Sequence, residues 1–201
     1  VASIMPRPER YLIVALCLAF LAIWLWVEVV GALPGDGALW RYFAAHPLPD
    51  WTRTLCDFVS ALAEPVIAAV TIAAAAASVA WRRGRAAATV VVAASAVVAL
   101  VAGLKLLIGA TSPWTELSGS HADNFPSGHV AYATAVFGAI AWLARGRGDR
   151  DVATLAVAVV ALMGPARISV RAHLLSDVLA GYAVGAAWLL VVVVVSGRRG
   201  R

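Results

Sequence analysis

Apolar positions along the chain gather into six long runs, near residues 11–30, 55–81, 86–108, 128–144, 152–168 and 174–196, separated by short polar links. A helix needs about 17–25 predominantly apolar residues to cross a bilayer, and only helices and closed barrels can satisfy their backbone there. The pattern predicts an all-α polytopic membrane protein, a bundle of six transmembrane helices in one domain over residues 1–201. The first run is long for the apolar core of a signal peptide and is read as a retained helix. Composition agrees: 62% of residues are hydrophobic and 13% charged, against roughly 45–50% and 25% in ordinary soluble domains. A water-soluble globular domain, a disordered chain and a disulfide scaffold are thereby excluded.

Charge refines the topology. The links Arg82-Arg83-Gly84-Arg85 and 145–150, with Arg7 and Arg10 before the first run and Arg198, Arg199 and Arg201 after the last, hold 11 of the 16 basic residues. The positive-inside rule puts these segments and both termini in the cytoplasm, an arrangement that an even number of spans allows. The formal net charge of +5 therefore reports topology, not a nucleic-acid partner. Arg41 and Arg53 belong to a 31–53 loop with Trp40, Tyr42, Phe43 and Trp51, a composition suited to the headgroup interface. Cys17 and Cys56 fall at different depths and are expected as small buried side chains, not a disulfide.

The polar residues left inside or at the ends of apolar runs carry the chemistry. At about 1.5 Å rise per residue, Lys105, His129, Arg167, His173 and Asp177 all arrive at the outer end of the bundle. Lys105 is the only lysine in the chain. His173 and Asp177 are spaced i, i+4 and share a helix face, so the carboxylate can fix the imidazole tautomer and leave the other ring nitrogen as base or nucleophile. Pro126-Ser127-Gly128-His129 reads as a tight turn opening a helix, where free N–H groups and the helix dipole favour an anion. Together these residues outline an oxyanion cradle with two histidines, for which phosphate is the natural guest. A transporter would instead hold its polar groups near the bilayer midplane. Arg171 is a further cation of the cradle, a cap on the 167–173 turn or a contact for lipid headgroups. His121, Asp123 and Asn124 read as solvated loop residues, Trp114 and Glu116 as residues of a loop over the site, and Asp57 and Glu64 as buried partners or outer-end polar groups.

At these residues the sequence resembles the type-2 phosphatidic acid phosphatase superfamily of integral-membrane lipid phosphate phosphatases. The family pattern runs Lys-x6-Arg-Pro, Pro-Ser-Gly-His, Ser-Arg-x5-His-x3-Asp. Here the second part is complete, the third has Ala166 in place of Ser, and the first keeps Lys105 and Pro113 but has Ser112 where the pattern has Arg. The resemblance implies that His173 is the nucleophile of a phosphohistidine intermediate, Asp177 its orienting partner and His129 the general acid. It further implies that Lys105, Ser127, Gly128 and Arg167 bind the phosphate, with Arg171 or Ser112 as possible additional ligands, and that no metal or cofactor is needed. The expected partners are a lipid phosphate or diphosphate, with a polyprenyl carrier favoured, and membrane lipids. The expected location is the cytoplasmic membrane with the site facing outward. Ser112 also leaves open a weakly catalytic lipid-phosphate binder, since losing one preorganised donor typically lowers turnover by about 10²–10³.

Overall fold

The computed structural model describes residues 8–108, 125–145 and 148–199, and every regular element among them is helical. In chain order these are α1 (Pro8–Val30), α2 (Asp36–Ala45), α3 (Asp50–Ala61), α4 (Pro65–Arg83), α5 (Arg85–Ser95), α6 (Val97–Ile108), α7 (Gly128–Tyr132), a π turn (Ala133–Phe137), α8 (Gly138–Arg145), α9 (Arg150–Ser169) and α10 (Leu175–Arg199). Five stretches are long and apolar enough to cross a membrane: Pro8–Val30, Pro65–Arg83, Ala87–Ile108, Arg150–Ser169 and Leu175–Ser196. The first, third, fifth and sixth expected runs correspond to four of them.

Four expectations change. The 55–81 run is not one helix: α3 ends at Ala61, and α4 starts afresh at Pro65. Proline has no N–H to give a helix interior but suits its first turn, where that N–H would be unpaired anyway. Most of the 31–53 segment is likewise helical, as α2 and the start of α3. The 128–144 run is helical but divided by the π turn, with the Thr134 hydroxyl donating to the Val130 carbonyl at 2.7 Å. Cys56 is buried as expected, whereas Cys17 is exposed; both thiols are free.

Helix α10 is the hub, packed along α1 and against α7, the π turn, α5 and α9. Small residues let it approach closely. A Cβ added at Gly181 would stand 2.7 Å from the Ser127 carbonyl oxygen, and one at Gly185 would stand 2.6 Å from that of Ala131. These glycines, one turn apart, bring the α10 backbone against the α7 backbone, the close approach that small-xxx-small pairs give membrane helices. Val130, Ala131, Ala133, Ala135 and Val136 are consequently fully buried. Pro165 interrupts α9 by removing an i→i−4 hydrogen bond. Tyr182 of α10 meets the break: its hydroxyl donates to the Val160 carbonyl at 2.8 Å and accepts from the Gly164 N–H at 3.1 Å.

Candidate active site

The last turn of α9 and the first turn of α10 are joined by five residues that place Arg167 and His173 together. The Ala172 N–H bonds the Arg167 carbonyl at 3.0 Å, and the Arg171 N–H bonds that of Ile168 at 2.9 Å. This is the paired 6→1 and 5→2 pattern of a Schellman motif. The residue that closes it, Arg171, has φ 59°, a left-handed conformation usually given to glycine. The His173 N–H also reaches the Arg167 carbonyl, at 3.2 Å. The chain reversal thus fixes the nucleophile candidate relative to a phosphate-binding candidate.

His173 and Asp177 are both buried, and the Nδ1–Oδ2 distance is 3.2 Å. The same Asp177 Oδ2 accepts from the Leu174 N–H at 3.0 Å, so the carboxylate is held as it holds the ring. With Nδ1–H donating to Asp177, Nε2 keeps its lone pair for attack. Burial holds the His173 pKa below the usual 6.5, and the Arg167 and Lys105 charges add to this against the opposing Asp177 carboxylate. The ring is therefore neutral, as a nucleophile requires.

The Pro126–His129 turn is locked against this unit by a backbone bond from the Ser127 N–H to the Asp177 carbonyl at 3.0 Å. His129 consequently faces His173, with ring centroids 6.4 Å apart at 59°. Ser127 is the residue before the first turn of α7. Its hydroxyl oxygen and the Arg167 Nε are buried without a partner among the described residues, so a bound oxyanion would satisfy two groups that are otherwise expensive to bury. Lys105, Gly128 and His129 line one end of a cleft of about 530 Å³ whose walls include Ala68, Ile72, Val98 and Val101. Its other residues come mainly from α4 and α6 and are nearly all apolar, a lining that suits an apolar chain.

Two acidic residues join the site from outside its motifs. Glu64, for which the sequence allowed either a buried partner or an outer-end group, has its Oε1 3.4 Å from His129 Nε2. Asp36 belongs to none of the sequence motifs. It is 1% exposed, and accepts from the Leu33 N–H at 3.0 Å and from the Ser176 N–H at 2.9 Å. It thereby ties the segment before α2 to the residue preceding Asp177. Burial raises its pKa above the usual 3.8, opposed by those hydrogen bonds. Its only sequence signal is an acidic residue in the turn Pro34-Gly35-Asp36-Gly37, which announces a helix start and nothing about a partner 140 residues away. Arg171 carries its guanidinium over the Trp40 ring, 4.6 Å from the centroid. Ser112, Pro113, Trp114, Glu116, His121, Asp123 and Asn124 lie outside the described residues.

Comparison with known proteins gives the family. A search of curated proteins finds no match. Among solved structures, the chain is similar to the crystal structure of the first transmembrane PAP2 type phosphatidylglycerolphosphate phosphatase from Bacillus subtilis. The TM-score is 0.75 at 20% identity, covering 94% of this chain and 97% of that one. At that identity the likeness speaks for the fold alone, an all-helical membrane bundle. The PAP2 superfamily model matches residues 86–201, more than half of the chain and the part that holds Lys105, the Pro126–His129 turn and Arg167 to Asp177, and on that match the chain belongs to the PAP2 superfamily.

Proposed function

We propose that this protein hydrolyses a lipid phosphate or diphosphate without a metal ion, through a phosphohistidine on His173. The observation that carries this reading is the facing pair of imidazoles 6.4 Å apart, one, His173, backed by a buried carboxylate and the other, His129, lining an apolar cleft. His173 Nε2 attacks phosphorus, and the P–O bond to the lipid breaks. His129, taking up a proton as the anionic phosphate binds beside it, protonates the departing oxygen and then takes a proton from the water that attacks the phosphohistidine. Inorganic phosphate leaves, and His173 is restored with its ring neutral. Lys105, Arg167, the Ser127 hydroxyl and the Gly128 N–H hold the phosphate oxygens, so side chains and backbone supply the charge stabilisation on which phosphoryl transfer depends. Glu64 is a hydrogen-bond acceptor that orients His129.

The proposed setting is the cytoplasmic membrane, with six spans, both termini inside and the site at the outer interface. The arginine-rich links and the placement of the polar residues at one bundle end support that orientation. Polyprenyl diphosphate is the substrate favoured from the sequence. Phosphatidylglycerolphosphate, for which the structurally similar Bacillus subtilis phosphatase is named, is set beside it. The test is phosphate release from these two and phosphatidic acid by the purified chain in detergent with chelator present. Release from at least one is expected, and absence of release, or dependence on added metal, refutes the proposal. Ser112 favours one second reading, a lipid-phosphate binder of low turnover. A gain of 10-fold or more (on the order of one restored oxyanion donor) in Ser112→Arg would support it.

A further inference from the structure

Arg53 and Arg171 face a second cavity of about 480 Å³, walled by α2, α3 and the α9–α10 turn. Trp40, Phe43, Ser169 and Val170 line it with them, whereas Lys105, His129 and His173 do not. Arg171 is the one non-glycine residue with positive φ among those described. Glycine would close the Schellman turn with less strain, so the turn alone gives no reason for an arginine there. What the side chain adds is a guanidinium laid on the Trp40 ring. Such stacking occupies the face of the group and leaves its N–H edge for in-plane hydrogen bonds. Arg53 reaches the same cavity from α3. Among the described residues neither cation has an ion-pair partner and no carboxylate lines the cavity, so one concave, partly apolar site offers two positive charges to an anion.

We infer that this cavity is an oxyanion subsite, distinct from the hydrolytic centre, that binds a phosphate group carried either by an anionic phospholipid headgroup or by free inorganic phosphate. The planar N–H forks match phosphate oxygens, and the Trp40 and Phe43 rings suit the glycerol and upper chain of a lipid at the interface. The inference does not depend on hydrolysis at His173.

The test uses the full chain in phosphatidylcholine nanodiscs, with two probes that offer no phosphate monoester to cleave. Spin-labelled phosphatidylglycerol is compared with spin-labelled phosphatidylcholine for the motionally restricted fraction, and added inorganic phosphate is followed by its phosphorus NMR linewidth. Arg171→Gly keeps the left-handed turn while removing the cation, and Arg53→Gln removes the other cation from a different helix. Each variant should weaken binding of the same probe by roughly three- to tenfold, as expected for one partly exposed guanidinium contact, and Arg171→Gly should not lower the unfolding temperature. Loss confined to phosphatidylglycerol identifies a lipid headgroup as the source, and loss confined to inorganic phosphate identifies the free ion. If either variant binds both probes as the wild type does, the inference is overturned.

Discussion

Gly181→Ala tests whether the close approach of α10 to the Ser127–His129 turn is what sets the distance between the two histidines. The added Cβ would lie 2.7 Å from the Ser127 carbonyl oxygen and 3.1 Å from the Val130 Cβ. Ordinary contact begins near 3.4 Å, so the turn must retreat by roughly 0.7 Å, because the nearest atom is backbone and has no rotamer to escape into. That retreat strains the 3.0 Å bond from the Ser127 N–H to the Asp177 carbonyl and carries His129 away from His173. A shift of about 1 Å in a reacting group can lower the rate by about 10²-fold, so kcat should fall roughly 10- to 100-fold with little change in KM. Overpacking of this kind should also destabilise the chain by about 1–3 kcal/mol. Gly103→Ala on α6 is the control, since nothing lies within 4 Å of its added Cβ, and helix propensity makes it neutral or slightly stabilising. The assay is kcat, KM and thermal unfolding of both variants in one detergent, on whichever lipid phosphate the wild type cleaves. Wild-type kcat and unfolding temperature in Gly181→Ala would refute the close-approach reasoning.

Further outcomes follow from the site. His173→Ala should leave no acid-labile phosphoenzyme after rapid quench, while His129→Ala should still form one, roughly 10²–10⁴-fold more slowly; a phosphoenzyme in the first variant would remove the nucleophile assignment. Burial holds His173 below 6.5, so the acid limb of kcat/KM that reports the nucleophile should lie below pH 6.5. The same shift acts on stability: above pH 6.5 the ring is neutral in both states, and as pH falls the unfolded ring takes up a proton that the folded one refuses, so stability is lost. Thermal unfolding of His173→Asn between pH 7.5 and 5 (a range of roughly one unit either side of the ordinary histidine value) should show a shallower decline than the wild type, and equal slopes would contradict it. Asp36→Ala should destabilise by about 2–4 kcal/mol, because two N–H groups lose a carboxylate partner in a buried setting. Asp36→Asn should recover about half of that, since its amide can accept only through one oxygen; unchanged unfolding temperatures in both would argue against Asp36 as a tie to the α10 turn.

The sequence by itself determined the solvent of this protein and picked out the residue pairs that are local along the chain. Apolar runs of membrane length can only be helices in lipid. His173 and Asp177 could be paired without coordinates because an i, i+4 spacing on one helix is a local constraint. Pro126–His129 could be read as a helix-opening turn for the same reason. Other features needed the fold. The break between α3 and α4 falls in a sequence apolar enough to be read as continuous, and Pro65 alone did not say whether a helix bends or restarts. Asp36, Glu64 and Trp40 reach Ser176, His129 and Arg171 across long stretches of chain. Contacts of that kind are set by which helix faces meet, and faces are chosen by packing: Gly181 and Gly185 were visible as letters, but their role as the surface on which α7 rests exists only once α10 lies at the centre. Arg171 shows the division most clearly. Its place between Arg167 and His173 made it a candidate cation of the catalytic cradle, and the left-handed turn at that residue is what sends its guanidinium to Trp40 and a separate cavity.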